Sequence, residues 1–228
     1  HGADGPIGVL VADSGDRRAT LRSDRDMLDS LARSAVVAIE NANLHHRIRE
    51  MANRDGLTDL YNHRYFQEWL RKELDAAGAN WPVTLFMIEI DRFKAYNDTF
   101  GHRQGDTVLI SLARALEQSV QPWQAMVARY GGDEFVVILP RVRRAEAARL
   151  AGELREQVCA QVSDMLAAHG LPPVSLSIGL ATYPEDALTA GSLIDAADQA
   201  MYIVKRSGGG KIHVFTESHT VGGQTERT

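Results

Sequence analysis

Apolar and polar positions along the chain change period several times, and each change marks an element. Residues 6–12 carry Ile7, Val9, Leu10 and Val11 and read as a short strand, ended by Asp13-Ser14-Gly15 turn chemistry. Residues 23–54 contain neither Pro nor Gly, which predicts one long helix with Ser23 as its cap and Asp24 and Asp26 in the first turn. Leu28, Leu31, Ala35, Ala38 and Ala42 recur at alternating threes and fours, as in a coiled-coil seam. The seam degrades at His45 and Arg49, while Leu44, Ile48 and Met51 begin a shifted one. Two readings stay open: a helix packed on its own domain, or a seam for a second copy.

After Asp55 the texture becomes a compact alternation. Helical periods predict helices over His63–Ala77, 106–120, 144–168 and 192–206. Apolar runs predict strands over Val83–Ile90, 174–182 and 211–215, and a hairpin from 126–130 and 135–139 around Gly131-Gly132-Asp133-Glu134. Residues 217–228 are polar and are expected to be a disordered tail. Helices alternating with a central hairpin give an α/β (α+β) class, a mixed sheet covered by helices.

Composition narrows the class of protein. With 44% hydrophobic and 24% charged residues the chain is expected to be globular. A net charge of -5 argues against a nucleic-acid or anionic-membrane partner. No apolar run approaches the roughly 20 residues of a membrane helix, and the start lacks signal-peptide features. A single cysteine, Cys159, excludes an internal disulfide framework and a multi-thiolate metal site. A cytoplasmic setting is the expectation.

Candidate chemistry gathers at two places. Glu89 and Asp91 end an apolar strand, where an ionised carboxylate needs a partner or a metal. The hairpin tip adds Asp133 and Glu134 after Gly131 and Gly132, glycines that let a backbone approach a ligand. Should the two ends meet, their oxygens suit Mg²⁺ with substrate phosphates. The bland alternative is an ordinary turn, with Asp91 as a helix cap. The second place runs from Arg92 through Phe93, Lys94 and Asn97 to Asp106. Here Lys94 suits phosphate, and Asn97 and Asp106 suit a base edge, unless Asp106 caps the following helix.

These residues carry a resemblance. Arg129-Tyr-Gly-Gly-Asp-Glu-Phe135 resembles the signature of the GGDEF family of diguanylate cyclases. Asp55-Gly-Leu-Thr-Asp-Leu-Tyr-Asn-His-Arg-Tyr-Phe66 is similar to its opening motif, and Ile88-Glu-Ile-Asp-Arg-Phe-Lys-Ala-Tyr-Asn-Asp-Thr-Phe-Gly-His102 to its metal and nucleotide segment. Ala197-Asp-Gln-Ala-Met-Tyr-Ile-Val-Lys205 is similar to its last helix. The resemblance implies a palm-like cyclase fold over 55–216, with 23–54 as a connector helix. Residues 1–22 more weakly resemble the C-terminal end of a GAF sensor domain, most of which would lie upstream of His1.

The resemblance further implies that two domains, each holding one GTP, join their substrates into cyclic di-GMP and release pyrophosphate as a homodimer. Asp133 and Glu134 would be catalytic, and Glu89, the Ile90 carbonyl, Asp133 and Glu134 would hold Mg²⁺, or Mn²⁺ in its place. Lys94, the backbone of Arg92 and Phe93, and Lys205 would contact phosphates, Gly131 and Gly132 would belong to the nucleotide-binding set, and Asn97 and Asp106 would read guanine. An alternative is a degenerate domain that binds GTP or cyclic di-GMP and signals without catalysis; the intact Asp133 and Glu134 speak against it. Three positions depart from the family: Glu89 replaces Asp, Gly209 stands where an Arg is usual, and Pro122 and Ala125 replace the Arg and Asp of the inhibitory product site.

Overall fold

A computed structural model describes residues 22–78 and 81–216. The GAF-like segment 1–22, with its strand at 6–12, and the tail at 217–228 lie outside these residues, Arg22 and its helical backbone excepted. The chain divides into two units between Asn53 and Arg54. The first holds helix α1 (Arg22–Asn53), 32 residues and, at 1.5 Å per residue, about 48 Å long. Ser23 lies inside this helix and is not its cap, because helical backbone already begins at Arg22. Met27, Leu31, Val37, Ile39, Leu44 and Met51 are exposed along it.

The second unit holds α2 (His63–Ala77), β1 (Val83–Ile90), α3 (Phe93–Phe100), α4 (His102–Val120), β2 (Met126–Arg129), β3 (Glu134–Pro140), α5 (Arg144–Ala167), β4 (Leu176–Tyr183), α6 (Ala190–Arg206) and β5 (Ile212–Val214). The five strands form one mixed sheet in the order β2-β3-β1-β4-β5. All neighbours are antiparallel except β4 and β5. The continuous apolar run of β1 follows from its central place, buried on both faces. Phe86, Ile88 and Ile90 join the core under α4 and α5, while Val83, Leu85 and Met87 join the core under α2 and α6. Glu89 continues the second series and so faces the α6 side of the sheet.

Helix boundaries follow local capping. The Asn62 side chain accepts from the Tyr65 N–H and opens α2; Gly78, at φ 52°, closes it. Thr189 and Ser192 form a capping box, so α6 begins at Ala190 rather than at Ser192. The largest difference from expectation lies between β1 and α4. Residues 93–100 are helical, and Gly101 both closes α3 and opens α4. Asp106 is therefore the fifth residue of α4 and not its cap.

The outer strand β2 is met by the segment that follows Asn53. Tyr61 bridges Ala128, and the Arg129 amide donates to the Tyr61 carbonyl at 2.8 Å.

Candidate active site

The strand end and the hairpin tip meet. In the β1–β3 register Glu89 stands directly opposite Glu134, and the Ile90 amide donates to the Asp133 carbonyl at 3.3 Å. Both glutamates face α6, whose Lys205 reaches across to them. Its Nζ lies 2.6 Å from Glu89 Oε1, 3.4 Å from the Ile90 carbonyl and 3.7 Å from Asp91 Oδ1. Like charges opposed on neighbouring strands are destabilising, and Glu134 shows it. Burial pushes its carboxyl above the ordinary range, and the charges of Glu89, Asp133 and Asp198 push further, with Lys205 opposing.

Glu134 is the first residue of β3 and half-buried rather than part of an exposed tip. Neither Gly131 nor Gly132 has a positive φ. Gly131 instead stands close to a carboxylate: a Cβ there would lie 2.6 Å from Glu134 Oε2, so a side chain at this position would require Glu134 to shift its carboxylate. Nothing within 4 Å would obstruct a side chain at Gly132.

Arg129, which sequence reasoning passed over, holds the turn in place. Its Nη2 donates to the Gly132 carbonyl at 2.7 Å and its Nε to the Gly131 carbonyl at 3.1 Å. Its Nη1 pairs with Asp55 Oδ1 at 3.0 Å. Burial raises the Asp55 pKa, but the hydroxyl and amide of Thr58 and the Arg129 guanidinium outweigh it and hold the carboxyl below its ordinary value. Both residues lie in the motifs quoted above; what the sequence did not signal is that positions 74 apart meet.

Arg92, Phe93 and Lys94 sit where β1 passes into α3, with Arg92 in the left-handed region at φ 56° and both Arg92 and Lys94 exposed. Phe93 is buried. Asn97 turns inward against α4, where its Oδ1 is buried without a hydrogen-bond partner. A Cβ on Gly105 would lie 1.8 Å from that oxygen, so the glycine makes room for the amide. Asp106, next in the chain, is exposed. The structure does not bring Asp106 and Asn97 into direct contact with the carboxylate cluster; they form a second, separate station along α3 and α4. At the missing-arginine position, Gly209 lies against Asp91, while Arg206 stacks over Tyr202 on an exposed face.

Comparison with known proteins identifies the family. The chain belongs to the GGDEF family: the family profile "Diguanylate cyclase, GGDEF domain" matches residues 52–211. Diguanylate cyclase TpbB of Pseudomonas aeruginosa is 39% identical over 173 residues, which are 75% of this chain and 38% of that protein. Response regulator PleD of Caulobacter vibrioides is 39% identical over 169 residues, 73% of this chain and 36% of that protein. The chain thus spans well under half the length of these relatives. The structure of the coiled coil and GGDEF domain of DgcB from Caulobacter crescentus, in complex with c-di-GMP, is similar with a TM-score of 0.69 at 27% identity. That likeness covers 82% of this chain and 98% of the DgcB chain. No helix among the described residues is long and apolar enough to cross a membrane.

Proposed function

We propose that the chain is a diguanylate cyclase, the output part of a bacterial signalling protein, which joins two GTP into cyclic di-GMP with release of pyrophosphate. The observation that carries this is the pair Glu89 and Glu134, held opposite each other beside Asp133 at one end of the sheet. Opposed carboxylates oppose folding, so their placement makes sense for a cation that arrives with the substrate.

The donors fit Mg²⁺, or Mn²⁺ in its place: carboxylates of Glu89, Asp133 and Glu134 and the carbonyl of Ile90 are all hard oxygens. Among the described residues no three acidic, His or Cys side chains are gathered closely enough to hold an ion unaided. That agrees with Mg²⁺, which takes one or two carboxylates and completes its shell with water and substrate phosphates. Lys205, itself a cation, rests on two of these oxygens, Glu89 Oε1 and the Ile90 carbonyl. When bound, the metal would neutralise charge on the triphosphate and on the departing pyrophosphate.

The chain's own residues then divide the work. The start of α3, with Arg92, Phe93 and Lys94, offers backbone N–H groups and a lysine to phosphate oxygens. Asn97 and Asp106 receive guanine, whose N–H groups suit the exposed Asp106 carboxylate and whose edge satisfies the buried Asn97 amide. Asp133 takes the proton of the ribose 3′-hydroxyl as its oxygen attacks the α-phosphorus of the other GTP. Because each domain presents one substrate, two must face each other, and the repeat of Leu28, Leu31, Ala35, Ala38 and Ala42 on α1 supplies the seam of a homodimer.

Incubation with GTP and Mg²⁺ tests this: one cyclic di-GMP and two pyrophosphates should appear per two GTP consumed. The rate should rise faster than linearly with protein concentration, and Leu31→Glu should lower dimer fraction and rate together. A protein that binds GTP as a dimer yet releases no cyclic di-GMP would overturn the reading.

A further inference from the structure

Asp91 follows the last residue of β1, two positions beyond Glu89, and its sequence position suits either another metal ligand or a helix cap. The structure gives it neither place. The position before α3 belongs to Arg92, without a side-chain cap. Both Asp91 carboxylate oxygens are occupied within the chain. Ser177 Oγ donates to Oδ1 at 2.6 Å, while Ser175 Oγ and the Gly210 amide donate to Oδ2 at 2.6 and 2.7 Å. These are short, charge-assisted hydrogen bonds. The Asp91 amide also donates to the Ser175 carbonyl at 2.9 Å.

The third donor belongs to the loop that leaves α6. Gly208, Gly209 and Gly210 all have positive φ, at 104°, 77° and 68°. A Cβ on Gly209 would lie 2.6 Å from Asp91 Oδ1 and 2.7 Å from its Cγ. The loop must therefore be bare backbone to reach the carboxylate. The same loop closes the last turn of α6, since Gly208 donates to the Lys205 carbonyl at 3.2 Å and Gly209 to the Val204 carbonyl at 3.0 Å. Lys205 stands in that turn. A lysine side chain loses much rotamer freedom when its ammonium is held, so its reach to Glu89 depends on how firmly its backbone is held.

We propose that Asp91 is a positioning residue: through Ser175, Ser177 and the Gly210 backbone it fixes the glycine loop, and together with its own ion pair to Lys205 at 3.7 Å this sets that lysine over the carboxylate cluster. The proposal rests on the cyclase reading for the part Lys205 plays toward GTP. It assigns Asp91 no place among the metal ligands, although the residue lies beside them.

The test uses the full chain and the α,β-methylene analogue of GTP, which cannot release pyrophosphate. Affinity is measured by calorimetry at several Mg²⁺ concentrations for the wild type, Asp91→Asn, Lys205→Ala and the double variant. Amide hydrogen exchange is followed over residues 204–211. Asp91→Asn should weaken analogue binding about tenfold, ~1.4 kcal/mol, and accelerate exchange in the loop. In the Lys205→Ala background the same substitution should add under about twofold, because the two act through one contact. The Mg²⁺ dependence should match the wild type. Ser175→Ala, which removes one donor and keeps the carboxylate, should show the same pattern more weakly if Asp91→Asn folds poorly. Independent, multiplicative effects of Asp91→Asn and Lys205→Ala would overturn the proposal, as would a raised Mg²⁺ requirement with unchanged loop exchange. Failure of the cyclase reading would look different: the wild type itself would not bind the analogue.

Discussion

The two ends of β1 treat buried polar groups in opposite ways. At the Val83 end, Thr84 Oγ1 shares a hydrogen bond of 2.8 Å with Thr182 Oγ1 and donates to the Val142 carbonyl at 2.9 Å. Nearby Asp186, with its side chain only 2% exposed, accepts from the Thr182 amide at 2.8 Å and pairs with Arg144. At the Ile90 end, Glu89 faces Glu134, with Asp133 alongside. Burial raises the pKa of Asp186 and of Glu134 alike. For Asp186 the Thr182 amide and Arg144 push back against burial and the Glu185 charge, whereas for Glu134 three further carboxylates add to the rise and Lys205 opposes it. One end is completed by the chain; the other accumulates negative charge. Groups that satisfy one another build structure, whereas the like charges at the Ile90 end are met only in part, by Lys205.

The sharpest way to break this comparison is to exchange losses between the ends. Asp133→Ala or Glu134→Ala should cut cyclic di-GMP formation by about 10³-fold or more while leaving the thermal midpoint near that of the parent. Asp186→Asn should do the reverse, costing about 1–3 kcal/mol of stability with turnover per folded molecule unchanged. Near-normal turnover in Asp133→Ala, or a folding defect there as large as that of Asp186→Asn, would erase the distinction.

A second test moves to the α3–α4 station. Asp106→Ala should narrow the preference for GTP over ATP by about 10²-fold, since a site built for N–H donors discriminates through them. Parallel affinities for the two nucleotides would show it; an unaltered ratio would make Asp106 an ordinary surface residue.

Stability gives a smaller, signed effect. Glu134 has a raised pKa in the fold, so its contribution favours the folded state in acid and is lost as pH rises through the folded value. Glu134→Gln should therefore raise the midpoint at pH 7, on the order of 1 °C for a protein of this size. The gain should vanish below the ordinary carboxylate value of 4.5. Thermal scans from pH 4 to pH 8 would show whether the gap opens as expected. Glu89→Asp, one methylene shorter, should keep turnover within the same order of magnitude.

The smallest expected effect is none at all. Added cyclic di-GMP should not inhibit through the turn at Gln121–Trp123. The cleft there, about 410 Å³, is lined by Tyr61, Trp69, Glu117, Gln121, Gln124 and Ala125 together with apolar residues, and its one charged lining residue, Glu117, lies 4.0 Å from the Arg54 guanidinium. That guanidinium is already engaged by Glu117, the Asp59 carbonyl and the Tyr61 ring, which an anionic product would have to displace. Tight inhibition relieved by Trp123→Ala would show otherwise.

Much of this fold was legible because burial leaves a period. The apolar run of β1 and the amphipathic repeat of α2, with Phe66, Leu70 and Leu74 buried, gave their bounds directly. Helix α3 escaped because its eight residues bury just Phe93 and Tyr96, too few for a repeat. The partners of the candidate site were less legible than its members. That Glu89 opposes Glu134 depends on strand register, that Asp91 is consumed by two serines and a glycine amide depends on β4 and the loop, and that Arg129 reaches Asp55 depends on folding across most of the domain. A local sequence pattern encodes an element; it does not encode which distant element arrives beside it.

Tyr61, bridging Ala128 on the outer strand, has a practical consequence for anyone trimming this protein. A strand edge with unpaired N–H and C=O groups is a template for the strands of other molecules. The stretch from Arg54 to Tyr61 covers part of that edge. A version that starts after Tyr61 keeps Glu89, Asp133 and Glu134 but loses Asp55, the partner of Arg129, and bares the side of β2, so it should clump in solution. The shortest well-behaved piece begins no later than Arg54.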